Sequence, residues 1–164
     1  MNVADKIDRN KLNYRQSTSA VIVDDLGKIL LVQKMNWQDN EWDLPGGGVD
    51  ENETPSEAVI RELSEELGCN YCEILKVSEQ IDRYEWSDEL INQKIKEGKP
   101  PFRGQERNQF LVKMTKGIKI LPQKKEIKAV KWIYPREIDK YCVFPYQLNK
   151  MKNLLKEFDI RVET

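Results

Sequence analysis

The chain has 164 residues, 34% of them charged and 39% hydrophobic, with 27 basic side chains against 28 acidic ones and a net charge of -1. That length suits one domain with its own core, and the balanced charge argues against whole-molecule attraction to nucleic acid or an anionic membrane, leaving only local patches. The absence of His removes Ser-His and Cys-His nucleophile pairs and His-ligated zinc, so any chemistry must run on carboxylates, Lys, Arg, Tyr or Cys.

No apolar run approaches the roughly 20 residues that span a bilayer, and the N-terminus carries no apolar signal region, so the expectation is a cytoplasmic protein without a membrane partner. Cys69, Cys72 and Cys142 are odd in number and sparse, which argues against a disulfide framework. Cys69-Asn-Tyr-Cys72 is formally a C-x-x-C pair, but it lacks the second pair of a zinc site and the strand-to-helix setting of a redox motif. Buried small side chains are the simpler account.

No repeat or linker interrupts residues 1–164, which read as a single domain with residues 1–13 as a polar arm or short helix. Ser19-Ala-Val-Ile-Val23 and Lys28-Ile-Leu-Leu-Val32 predict two strands, and Asp24-Asp-Leu-Gly27 between them predicts a hairpin with Gly27 supplying the positive φ. Trp42-Asp-Leu-Pro-Gly-Gly-Gly48 reads as a loop tightened by glycine. Thr54-Pro55-Ser56-Glu57 predicts a helix start, with Thr54 as N-cap, Pro55 in the first turn and Glu57 closing a capping box; Gly68 ends the helix after Leu67. A strand is expected near Ile74 to Val77, then a polar excursion from Ile81 to Pro101, strands at Phe110–Met114 and Val130–Tyr134, and an amphipathic helix through Leu148, Met151, Leu154, Leu155 and Phe158. Strands with two substantial helices on the faces make an α/β layered domain.

The first helix carries the chemistry. At about 100° per residue, Glu62, Glu65 and Glu66 share roughly a quarter of its circumference, beside an apolar arc of Val59, Ile60, Leu63 and Leu67. Carboxylates at i,i+4 destabilise a helix by about 0.2–0.5 kcal/mol, which a divalent cation such as Mg²⁺ would offset. Three Glu alone also describe a solvated acidic face, so the loop ahead of the helix weighs in the choice. Arg61 can hold a carboxylate bidentately or make an ordinary surface ion pair.

Gly47-x5-Glu53-x7-Arg61-Glu62-Leu63-x-Glu65-Glu66-x-Gly68-Cys69 resembles the Nudix box at every charged and glycine position, with Cys69 where an aliphatic is usual. The resemblance implies an α/β/α sandwich with a mixed central sheet and a metal-dependent hydrolase that cleaves a phosphoanhydride bond of a nucleoside polyphosphate, with Mg²⁺ or Mn²⁺ as cofactor. It makes Glu65 and Glu66 metal ligands, Glu62 a ligand or the base, and Gly47 a backbone position near the metal, while Glu53 and Arg61 organise the box. Phosphoanhydride cleavage needs charge neutralisation and a positioned water more than a covalent nucleophile, so the missing His is no obstacle.

Tyr14-Arg15, Arg103-Gly-Gln105, Phe110-Leu-Val112, and Glu126 ahead of Trp132 are similar to the subgroup of bacterial RNA 5′-pyrophosphohydrolases and dinucleoside tetraphosphate hydrolases. That likeness implies a nucleotide or RNA 5′-end as substrate, with no stable protein partner. It adds Glu126 to the metal cluster and places Arg15 and Lys34 at phosphates, with Gln105 as a further substrate contact; Tyr146 is a candidate substrate contact as an aromatic platform. Gly46 stands where the subgroup has Gln, and Tyr146-Gln147-Leu148 where it has an aromatic and a basic pair. Tyr84, Trp86, Phe144 and Tyr146 are candidate stacking platforms for a base, and large core or rim side chains otherwise. Lys94-Ile-Lys-Glu-Gly-Lys99 is a further basic stretch beside the expected cleft. Two other readings are a housekeeping hydrolase of free nucleoside triphosphates or nucleotide sugars, and a non-catalytic nucleotide-binding module.

Overall fold

The computed structural model describes residues 7–69, 71–114, 120–122 and 125–163. Its centre is the strand pair β1 (Asn13–Val23) and β2 (Ile29–Lys34), antiparallel through Val23 and Ile29. The Asp24 carboxylate accepts the backbone N–H groups of Leu26 and Lys28, and Gly27 takes φ +80° as the turn requires. Five more elements follow: α1 (Pro55–Leu67), β3 (Cys72–Val77), β4 (Asp82–Glu85), α2 (Asp88–Lys96) and β5 (Phe102–Met114). The chain closes with β6 (Ile127–Ile133) and α3 (Gln147–Glu157).

The sheet runs β3-β5-β1-β2-β6, with β4 also paired to β5. β1 and β5 are parallel along their whole length while the other pairs are antiparallel, so the sheet is mixed. Alternation along the central strands feeds two cores. Ala20, Ile22, Leu30 and Val32 face α1 through Val59, Leu63 and Leu67. Val21, Ile29 and Leu31 face α3 through Met151, Leu154 and Leu155. Burial on both faces explains why these strands are continuous apolar runs, and the result is the expected α/β/α layering.

Three expectations are corrected. The stretch from Ile81 to Pro101 is structured, forming β4 and α2: Ser87 caps α2 by accepting the Leu90 N–H, and Ile91 anchors it at 1% exposure. Its polar sequence hid this because most of both elements faces solvent. β5 begins at Phe102 rather than Phe110, because β1 on one side and β4 on the other supply the ladder bonds for its polar half. Cys69 and Cys72 are joined by a disulfide, not left as separate thiols. The left-handed turn at Gly68 reverses the chain at the end of α1, leaving the two Cα atoms 6.5 Å apart over the same core. Cys142 stays free and half-buried, and burial pushes its thiol up to about 12. Residues 1–6 of the expected arm lie outside the described residues; Arg9–Lys11 form a short 3-10 turn whose Arg9 bonds Glu85, Asp88 and the Trp86 carbonyl.

Candidate active site

The loop ahead of α1 is held against β1 where β2 diverges. Ala20 N–H donates to the Pro45 carbonyl at 2.8 Å, Thr18 N–H to Gly47 at 2.8 Å, and Val49 N–H to Gln16 at 3.0 Å. Gly46 sits at φ +153°, and a Cβ there would fall 2.1 Å from the Thr18 carbonyl oxygen. The loop lies this close to β1 only because position 46 has no side chain, which gives the departure to glycine a steric reason.

α1 then starts as expected, the Thr54 hydroxyl accepting the Glu57 N–H at 3.2 Å. The Glu57 carboxylate accepts the Thr54 hydroxyl at 3.0 Å, a side-chain bond in place of the return to the backbone N–H that the capping box predicted. Arg61 latches helix to loop. Its Nε and one terminal nitrogen donate to both Glu53 oxygens at 2.7 and 2.9 Å, and the same nitrogen donates to the Gly48 carbonyl at 2.8 Å. The other terminal nitrogen donates to Glu62 at 3.0 Å and Glu65 at 3.1 Å. Arg61 bonding and the Asp50 N–H hold the Glu53 carboxyl down to about 2.

The three helix glutamates differ in surroundings. Glu65 is exposed. Glu62 is pressed against the loop: a Cβ on Gly47 would come within 2.3 Å of its carboxylate, so this glycine gives the carboxylate room. Burial raises the Glu62 pKa above its ordinary value against the pull of Arg61. Glu66 is 4% exposed and accepts the Gly46 N–H at 3.4 Å. Burial pushes its carboxyl up to about 7, with Glu62 and Glu126 adding repulsion and Lys34 opposing it. Glu126 reaches this neighbourhood because Ile127 pairs with Lys34 across β6 and β2, and the Met35 N–H donates to the Glu126 carbonyl.

As the side chains stand, no three His, Cys, Asp or Glu among the described residues form a group that could hold a metal ion. Arg61 draws Glu62 and Glu65 toward itself instead. The donor chemistry nevertheless fits a hard divalent cation: Glu62 and Glu66 both lie against the glycine loop, and burial of Glu66 is opposed by Lys34 and the Gly46 N–H.

A Cβ on Gly48 would meet the Arg15 guanidinium at 2.5 Å, and Arg15 lines a cavity of about 750 Å³ with Gly48, Val49 and Asp50. Lys34 projects from the end of β2 over the Trp37 ring, 5.5 Å from its centroid. Gln105, register partner of Arg15, accepts the hydroxyls of Ser17 and Tyr84 at 3.2 and 2.9 Å. Tyr146 lies apart from the carboxylates, 79% exposed ahead of α3 with φ +64°.

Tyr84, Trp86, Phe144 and Tyr146 come together around a second cavity of about 760 Å³, joined by Trp37, which packs edge-on to Phe144 at 5.2 Å. The Gln147 side chain turns into the fold, its amide oxygen accepting the Phe144 N–H at 3.1 Å. The same cavity contains a charge network that spacing gave no way to find. Arg107 donates to Asp43 and Asp82, each at 2.9 Å, and Lys150 reaches Asp82 at 2.7 Å. Burial opposes charge on Asp82, yet Arg107 and Lys150 hold its pKa below the ordinary value. These residues are 25 or more positions from their partners, so only their polar type inside β4 and β5 hinted at them.

A model of the NUDIX domain matches residues 13–158. The chain is 32% identical over 157 residues to a protein named RNA pyrophosphohydrolase from Sphingopyxis alaskensis, covering 93% of this chain and 97% of that one. It is 34% identical over 135 residues to an RNA pyrophosphohydrolase from a Sulfurovum species, covering 76% and 82%. Among solved structures, the MutT protein from Methanosarcina mazei Go1 superposes with a TM-score of 0.66 at 17% identity over 92% of this chain and 99% of that one, a likeness of fold.

Proposed function

Because the chain belongs to the Nudix family and is a pyrophosphohydrolase, we propose that it cleaves a phosphoanhydride bond in the 5′-triphosphate end of RNA. What supports this reading is that Glu62 and Glu66 lie against the glycine loop, with Arg15 beside Gly48, Lys34 acting on Glu66, and Lys34 also standing over Trp37 in the wall of the aromatic cavity. The full-length similarity to proteins named RNA pyrophosphohydrolase supports it.

Glu62, Glu65, Glu66 and the Gly47 backbone are the groups to hold a divalent cation, Mg²⁺ or Mn²⁺, with Glu126 approaching from β6. When bound, that ion supplies charge neutralisation on the phosphate oxygens. Glu53 fixes Arg61, and Arg61 sets the rotamers of Glu62 and Glu65. Arg15 and Lys34 bind phosphate oxygens, and Glu62 or Glu126 takes the proton of the attacking water. The aromatic cavity holds a base of the substrate, with Tyr146 at its mouth and Gln105 acting through its bond to the Tyr84 hydroxyl. The protein acts in the cytoplasm in this reading.

A panel tests it: triphosphorylated RNA, diadenosine tetraphosphate, nucleoside triphosphates and nucleotide sugars at equal concentration, with Mg²⁺ or with chelator, products resolved by chromatography. The expected result is preferential turnover of the RNA that chelator abolishes. Preference for a mononucleotide or nucleotide sugar would replace RNA with a housekeeping substrate, and binding without turnover would overturn the enzymatic reading.

A further inference from the structure

α2 reverses the usual order of burial. It exposes Ile95 at 47% yet turns Lys94 inward, half-buried, on the same face as Ile91 one turn earlier and Leu90 beside it. The Lys94 ammonium lies over the Trp86 ring, 4.7 Å from its centroid, and Trp86 and Leu90 both line the aromatic cavity. The helix is fixed in that orientation by the Ser87 cap and by Arg9, which bonds Asp88 and the Trp86 carbonyl at 2.7 Å each.

An inward lysine should have a carboxylate partner, and among the described residues Lys94 makes no ion pair. Glu97, three residues further along, pairs with Lys99 at 3.0 Å. Lys94 instead faces cations. Burial lowers its pKa, and Lys99, Arg15 and Lys34 lower it further, with only Glu97 opposing. Lys34 stands over Trp37 and Lys94 over Trp86, two rings that line the same cavity, so cations from β2 and α2 border one space. A set of like charges held together by the fold is stabilised when an anion enters it.

We propose that Lys94 is a substrate-binding cation which, with Lys34 at the same aromatic cavity, holds the polyphosphate chain. This rests on the reading that the substrate is a nucleotide 5′-polyphosphate, and assigns part of its recognition to the helix between β4 and β5. Trp86 holds the ammonium by cation–π attraction, leaving its three N–H donors for phosphate oxygens.

The test compares wild type, Lys94→Gln, Lys94→Arg and Lys96→Gln, the last removing an exposed cation from the same helix. For triphosphorylated RNA, Lys94→Gln should raise KM about tenfold with kcat within about twofold, since a binding contact present in both ground and transition states is removed. Lys94→Arg should recover most of the loss, Lys96→Gln should match wild type, and Lys94→Gln should bind with a salt dependence weaker by about one ion. Thermal melts confirm that each variant is folded. A Lys94→Gln KM within twofold of wild type, or an equal change in Lys96→Gln, overturns the proposal. If wild type fails to cleave RNA, the substrate reading of the preceding subsection fails, and the same KM comparison on whichever polyphosphate it does cleave still decides the role of Lys94.

Discussion

Glu66 sits at 4% exposure with its carboxyl pushed up to about 7, against an ordinary value of 4.5, because burial and two neighbouring carboxylates outweigh Lys34. A carboxyl whose pKa is raised by folding binds its proton more tightly in the native state, so its contribution to stability is intact below about 4.5 and is lost as pH rises through about 7. Glu53 and Glu85, both held down to about 2, act in the opposite sense and below this window. In chelator, wild type should therefore melt several degrees lower at about pH 8.5 than at about pH 5.5, and Glu66→Gln should flatten that difference while abolishing turnover. Equal pH slopes in the two proteins would show that Glu66 is not the group responsible.

At the scale of the element, the box is a loop and a helix made to act as one piece. Arg61 joins Glu53 in the loop to Glu62 and Glu65 on α1, and the loop is bonded to β1 through Pro45, Gly47 and Val49. Gly46 is the point of closest approach, where an added methyl would collide with the Thr18 carbonyl. Gly46→Ala should lose more than about 1 kcal/mol in urea denaturation, because it combines a disfavoured φ with backbone contact. Gly27→Asn is the comparison: φ is also positive, but nothing lies within 4 Å and Asn tolerates the conformation, so little stability should be lost. Equal losses would mean that the loop can move off β1 without penalty. The disulfide at the far end of α1 closes too short a loop to stabilise the fold much by restricting the unfolded chain.

Across the whole molecule, Arg107 connects segments distant in sequence. It lies on β5, pairs with Asp43 ahead of the glycine loop and with Asp82 on β4, and shares Asp82 with Lys150 of α3. This network forms part of the wall of the aromatic cavity and fixes the spacing between the glycine loop and the β4–α2 segment that carries Lys94. Removing one partner from a buried ion network leaves uncompensated charge, so Arg107→Leu should lose about 3–5 kcal/mol in denaturant titration. A loss below about 1 kcal/mol would show that water or Lys150 takes over, and that the cavity does not depend on the network.

The local features were written in the chain itself. The caps at Thr54 and Gly68, the hairpin at Gly27, the acidic stripe of α1 and the apolar runs of β1 and β2 follow from residue type and spacing over a few positions, because short-range sterics and hydrogen bonding decide them. For the same reason the residues of the box could be named before any fold was known. What lay beyond local rules were groups whose partners are far along the chain: the polar half of β5, held by β1 and β4; the inward turn of Lys94, set by how α2 docks; the Arg107 network; and the gathering of Tyr84, Trp86, Phe144 and Tyr146 around one cavity. A side chain's type states what it can bond to, but which side chains meet depends on long-range packing that no spacing within the sequence encodes.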